Sequence, residues 1–300
     1  MYKYLAFGLK ISSNVYLPEL SELIFDEADV TIEYGICPNN LSKPLFTALR
    51  YEISENEFLL KVDDIANYYV ASGEKIIICK NNKATDKEIK LFLYSSVFGA
   101  LFHQRNMIPL HATTVVKNNK AIAFSGNSGA GKSSISLALI KQYGFKLISD
   151  DITIISGSDS KSMVYPGIPH MKIWADIMDE MNINKNDYEN IREKIEKYKL
   201  PINADFNNNA SPLAAICFLN SHNSDNFIFE QIKGAKKIVF FKGALYRSNF
   251  MKTKNANAEF FIKASHILNN LPVYSLTRPR AGLNVNDSAK TIIDNLSKYL

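Results

Sequence analysis

The sequence predicts an α/β protein in two parts. A small β-rich domain covers residues 1–85, and a larger domain of strands and helices covers 86–300. Three observations predict it. Short apolar runs separated by turn residues fill the front. A strand–glycine turn–helix sequence stands at 121–140, and a second apolar run returns at 145–155 with two aspartates in its middle.

In the front part the strand candidates are Tyr4-Leu5-Ala6-Phe7, Val30-Thr31-Ile32-Glu33-Tyr34, Glu57-Phe58-Leu59-Leu60-Lys61-Val62 and Tyr68-Tyr69-Val70-Ala71. A turn at Ser72-Gly73 then leads into Ile76-Ile77-Ile78-Cys79 as a hairpin. No catalytic constellation stands here, and the tyrosines read as half-buried strand residues. This domain is assigned to recognition or to docking a second subunit, so a homo-oligomer is among the partners the sequence allows. Residues 86–105 predict a helix with Asp86 as its cap, bridging the two parts. Its stripe is Ile89, Phe92, Leu93, Val97, Ala100 and Leu101, which is core material. A hairpin follows, from Leu110-His111-Ala112 through Val116 and the turn 117–120 into Ala121-Ile122-Ala123-Phe124-Ser125.

That strand delivers Gly126-Asn127-Ser128-Gly129-Ala130-Gly131-Lys132-Ser133, which matches G-x-x-x-x-G-K-[ST] at every fixed position. The helix beyond it begins at Ser134 and carries Ile135, Leu139 and Ile140 on one face. Glycines let successive N–H groups turn toward an anion, and a helix N-terminus favours negative charge. Residues 126–134 are therefore the predicted phosphate-binding set. Lys132 reaches the outer phosphates and faces ligand rather than core, and Ser133 offers its hydroxyl to Mg²⁺.

After the turn at Tyr143-Gly144, Phe145 through Ser149 leads into Asp150-Asp151, and Ile152-Thr153-Ile154-Ile155 leads away. A βαβ return brings these carboxylates to the loop. One then holds Mg²⁺ and the other accepts a proton from an attacking hydroxyl; a solvated turn is the bland alternative. Asp150 is assigned to the metal with Ser133, and either aspartate can be the base, with Asp151 the first choice because neighbouring strand residues point to opposite faces. Further on, Tyr165-Pro166-Gly167-Ile168-Pro169-His170 is a loop, and Trp174 is the only tryptophan. Residues 173–199 are charged with helical spacing and predict a pair of surface helices, with a lid or a partner surface as the alternatives. Leu213 through Leu219 is a buried strand. Residues 233–249 are mixed, with Arg247 a candidate phosphate contact. A helix over 257–270, a strand over 272–276 and a helix over 287–299 complete the chain.

Composition excludes several classes. With 46% hydrophobic and 22% charged residues, the 300-residue chain has material for a sizeable core. A net charge of +5 without a compact Lys/Arg block does not suggest nucleic acid. Cys37, Cys79 and Cys217 are widely spaced and lack C-x-x-C spacing, so neither a zinc site nor a disulfide frame follows. No run approaches the ~18 apolar residues of a membrane helix, and no signal-peptide pattern opens the chain. The reading is a cytoplasmic protein without a membrane or nucleic-acid partner.

Leu110-His111-Ala112, the 126–133 loop and Ser149-Asp150-Asp151 together resemble the catalytic domain of HPr kinase/phosphorylase. The chain also resembles the divergent HPr kinase-like proteins, some of which phosphorylate precursor peptides in lasso-peptide clusters. Pro166-Gly167-Ile168-Pro169, Ile173-Trp174 and Pro272-Val273-Tyr274 add to the resemblance, which spans about residues 100–300. It implies a fold related to phosphoenolpyruvate carboxykinase, with a mixed twisted sheet around the phosphate loop and helices outside. It also implies ATP- and Mg²⁺-dependent phosphorylation of a serine hydroxyl on a peptide or protein. In that frame Lys132 and Ser133 take the phosphate and magnesium positions, Asp150 and Asp151 the acidic pair, and His111 the histidine beside them. Taken alone, His111 reads as a structural strand histidine. The chain departs from the family at Ser134, where HPr kinases place glutamate. A small-molecule hydroxyl kinase and a non-catalytic nucleotide sensor are the alternative readings.

Overall fold

The computed structural model describes all residues except 159–160, 193–194, 253–255 and 281–284. It is a mixed α/β protein that divides into two compact units: Met1–Pro109 with Leu245–Ile262, and Leu110–Ala244 with Lys263–Leu300. The division thus falls at 109/110 rather than at 85/86, and the helical segment after residue 85 belongs to the first unit.

The first unit is built on one sheet. Its strands lie in the order Ser21–Glu22, Tyr2–Ala6, Leu9–Ser13, Val30–Tyr34, Lys75–Lys80, Ala66–Ala71, Glu57–Val62, Tyr51–Ile53 and Phe46–Thr47. Burial alternates along Ala66–Ala71, so one face of that strand packs inward. The helical segment packs on it through Ile89, Leu93, Val97, Phe98, Leu101 and Phe102, all fully buried. The Tyr68 hydroxyl donates to the Ile89 carbonyl at 3.0 Å. Thr85, not Asp86, caps this segment. Its side chain accepts from Glu88 N while the Glu88 carboxylate accepts from Thr85 N, a reciprocal capping box. The segment is also not one α-helix, because a π-helical turn at Leu93–Val97 joins Asp86–Phe92 to Phe98–Gln104.

In the second unit the hairpin Ala112–Lys117/Lys120–Gly126 turns at Asn118 and Asn119, both at positive φ, the backbone that a tight two-residue turn demands. Strand Lys120–Gly126 runs parallel to Ser211–His222, which runs parallel to Val273–Pro279. The helix Lys132–Tyr143 then returns the chain to Lys146–Ser149. That strand pairs antiparallel with Ala112–Lys117, so it is parallel to Lys120–Gly126 with one strand between them. The predicted return therefore delivers its aspartates to the correct sheet edge, but not from the adjacent strand. The helix is buried continuously from Ser134 to Ile140, packed among Phe124, Phe145, Leu147, Leu276 and Ile292.

Residues 173–199 do not form a helix pair. After the short helix Ala175–Glu180 come the strands Glu189–Arg192 and Ile195–Pro201, which join His170–Trp174 in a three-stranded sheet. The lysines and glutamates that suggested a solvated helix face alternate instead with Tyr198 and Leu200, and the partner strand decides the outcome. Positions 193–194 of that expectation lie outside the described residues. No described helix is long and apolar enough to cross a membrane. All three cysteines are free thiols.

Candidate active site

The glycine loop leaves its strand at Gly126, whose φ is +153°. A Cβ there would stand 2.4 Å from the Leu219 carbonyl oxygen on the neighbouring parallel strand. No side chain fits, which fixes glycine at this position. Gly131 at φ +99° caps the helix without any side-chain cap, so the first-turn amides retain the unmet donors of a helix start. Gly129, Gly131, Lys132, Ser133 and Ser134 line a cavity of about 350 Å³ with His111, Asp150 and Asp151. Ser128 lines it as well, whereas Gly126, Asn127 and Ala130 do not. These three frame the loop, with Ala130 N donating to the Asn127 carbonyl at 3.1 Å.

Lys132 lines the cavity, yet only 7% of its surface is exposed. Its ammonium donates to the carbonyls of Gly126 at 2.9 Å and Asn127 at 3.2 Å. Burial, against the pull of Asp150 and Asp151 and with help from the charge on Lys197, holds its pKa below the ordinary lysine value.

The two aspartates have different surroundings. Asp150 Oδ1 accepts from Ser133 Oγ at 2.8 Å and from Thr113 Oγ1 at 2.6 Å, while Oδ2 accepts from the Lys172 backbone N at 2.9 Å. Asp151 sits in a left-handed backbone at φ +71°, a conformation rare outside glycine and tolerated best by Asn and Asp. Its Oδ2 meets Lys172 Nζ at 2.7 Å and its Oδ1 meets His111 Nδ1 at 3.3 Å. With a proton on Nδ1, His111 also donates to the Asp151 carbonyl at 3.1 Å. Burial alone would raise the Asp151 pKa, but Lys172 and His111 outweigh it and hold the carboxyl well below the usual range.

Sequence reading missed several members of this cluster. Thr113 anchors Asp150 from the interposed strand. Lys172 reaches both aspartates, one through its backbone and one through its side chain. Trp174, Asp176, Ile177 and Lys197 complete the cavity wall. Arg278, 6% exposed, donates from Nε to the Ala130 carbonyl at 3.3 Å and from Nη2 to that of Gly129 at 3.4 Å, bracing the loop from behind. Arg247 does not line this cavity; it sits at φ +51° with its guanidinium over the Tyr246 ring. The signal for Lys172 was the apolar/polar alternation of Met171-Lys172-Ile173-Trp174; for Arg278, it was a charge at the end of a buried strand.

The donor set suits a hard cation held together with phosphate. Ser133 Oγ and Asp150 are adjacent oxygen donors, and Mg²⁺ takes one or two protein oxygens beside phosphates and waters. No cluster of three His, Cys, Asp or Glu side chains capable of caging a metal occurs among the described residues.

No protein-family model matches the chain. No curated protein matches it either. Among solved structures it is similar to the Hpr(Ser) kinase/phosphatase from Coxiella burnetii, with a TM-score of 0.35 and 14% identity over 63% of this chain and 90% of that one. A likeness this distant transfers no residue role, and the chemistry of the site rests on its own geometry.

Proposed function

We propose that the protein is a Mg²⁺- and ATP-dependent kinase that transfers the γ-phosphoryl group to a serine hydroxyl of a peptide or protein. The observation that carries this reading is the Ser133–Asp150 hydrogen bond at the head of the loop helix, with Asp151 as the next residue. It joins the hydroxyl of a phosphate-loop motif to a carboxylate and keeps a second carboxylate beside it.

Each residue then has a task. Loop amides and Lys132 hold the phosphates, with Lys132 leaving its loop carbonyls for phosphate oxygens. Ser133 and Asp150 would hold Mg²⁺, which would supply positive charge to neutralise the transferring group. Asp151 is ionised, and it accepts the proton of the incoming hydroxyl as the oxygen–phosphorus bond forms and ADP leaves. His111 orients Asp151, and Arg278 keeps the loop in register. The serine acceptor follows from the resemblance in sequence.

Incubating the protein with γ-labelled ATP, Mg²⁺ and panels of serine peptides and small hydroxyl compounds tests the reading. Labelled peptide, absent with Lys132→Ala, is the expected outcome. Label only on small molecules would reassign the acceptor, and bound ATP with no transfer would make the protein a sensor.

A further inference from the structure

The small sheet His170–Trp174/Ile195–Pro201 has two faces of opposite character. Strand pairing sets Trp174 opposite Lys197, and side chains two residues apart share a face. Lys172, Trp174 and Lys197 therefore form one face, and all three line the cavity of the glycine loop. Met171, Ile173 and Leu200 occupy the other face and are buried in the core. The lysine face is thus held rigidly by the packing behind it.

Charge on this face is only partly answered. Asp150 is engaged by Ser133, Thr113 and the Lys172 backbone. Asp151 is shared by Lys172 and His111. Asp176, also in the cavity wall, accepts from Ile177 N at the start of its own helix. Among the described residues Lys197 meets no carboxylate. Its ammonium lies 5.4 Å from the centre of the Trp174 ring. It is close enough to Lys132 for the two like charges to oppose each other. Three ammonium groups around one cavity, two of them in mutual repulsion, are stabilised by a polyanion between them.

We propose that Lys172 and Lys197 form a second anion-binding wall across the cavity from the glycine loop, which takes the terminal phosphoryl group of a nucleoside triphosphate. This rests on the kinase reading above. The loop amides account for the inner phosphates and Lys132 reaches the outer ones from the loop side, whereas the new wall stands on Asp151's side, where Lys172 Nζ is already 2.7 Å from the carboxylate. A cation there stabilises charge on the transferring group and sets triphosphate apart from diphosphate.

Trp174 is the only tryptophan, so its fluorescence reports this wall alone. The experiment titrates the intact protein with Mg·ADP and with the non-hydrolysable β,γ-imido analogue of Mg·ATP, by calorimetry and by Trp174 emission. Lys197→Met is the main variant because Lys197 holds neither aspartate. The wild type should bind the triphosphate more tightly and shift its emission more with it. Lys197→Met should weaken the analogue about tenfold or more, as expected for one charged hydrogen bond, and leave ADP within about twofold. Lys197→Arg should keep most of the difference, and Lys172→Arg should too. Equal effects of Lys197→Met on both nucleotides, or no effect on either, would overturn the wall. A wild type that binds neither nucleotide would overturn the kinase reading, and the wall with it.

Discussion

Replacing Asp150 by asparagine isolates the proposed metal role, because the geometry dictates how the new side chain must sit. The Lys172 backbone N–H can only donate, so the asparagine oxygen must face it. The amide nitrogen then faces Ser133 and Thr113, whose hydroxyls can turn from donating to accepting. Three charge-assisted hydrogen bonds become neutral at roughly 1 kcal/mol apiece, so the fold loses at most about 3 kcal/mol. The functional loss should be far larger. The carboxylate is gone, and a Ser133 lone pair is occupied by the new amide. Turnover should fall by at least about 10²-fold, with the Mg²⁺ requirement raised about tenfold and partly relieved by Mn²⁺. Thermal unfolding beside metal-titrated turnover separates the two effects. Asp151→Asn is the companion: it should lose about 10²–10⁴-fold in turnover while Mg·ATP binding stays near normal. An Asp150→Asn protein with unchanged Mg²⁺ dependence would refute the division of labour. If both variants were fully active, neither carboxylate would take part in the transfer and the mechanism would have to be abandoned.

Gly126→Ala should cost roughly 2–5 kcal/mol in thermal unfolding and abolish nucleotide binding, since backbone strain adds to the clash with the Leu219 carbonyl; an unaffected loop would show that the strand end can shift freely. Arg278→Met should leave a folded protein whose nucleotide affinity falls about tenfold, because the loop loses its brace at Gly129 and Ala130; unchanged calorimetric affinity counts against that role. In the first unit, Glu52 accepts from Leu41 N at 2.7 Å and from Lys61 Nζ at 3.0 Å. The Leu41 N–H chiefly, opposed by burial and aided by Lys61, holds the Glu52 carboxyl below its ordinary value. The stability it contributes is present above the unfolded pKa of about 4.3 and is lost as pH falls through the lower folded value. Glu52→Gln should therefore unfold more easily by about 1–2 kcal/mol at neutral pH and match the wild type in strong acid; a gap that persists in acid would assign the effect to packing.

What the sequence made legible was local. The strand, glycine loop and helix around 126–133 depend on residues a few positions apart, and so does the turn at Asn118-Asn119. The aspartates at 150 and 151 were found because a loop and a return strand limit where chain direction can take them. Lys172 and Lys197 were hidden because their common face exists only after two strands separated by the stretch 175–194 have paired, Trp174 opposite Lys197. The charge spacing in 173–199 satisfies a helix and a hairpin alike, and only the partner strand decides. Arg278 reaches the loop through two parallel strand registers that the residues beside it do not encode. Thr85 differs from the expected cap by one residue, because both Thr85 and Asp86 can cap a helix and the reciprocal Glu88 contact selects the first.

The chain's division into units bears on how it is made. The first unit ends at Pro109 but needs 245–262 to be whole. Phe250 packs tilted against Phe58 and edge-on to Tyr51 at ring separations of 4.7 and 5.1 Å, and Tyr246 N donates to the Pro109 carbonyl. On a ribosome adding about 5–20 residues per second, the front sheet waits roughly 7–30 s for those rings to emerge. Meanwhile Phe58 and Tyr51 lack their later cover, and the nascent chain is exposed to chaperones and proteases. Cutting the gene after residue 109 would leave a front piece without its last aromatic layer and a back piece with Phe250 stranded. The two units cannot be separated by a single cut.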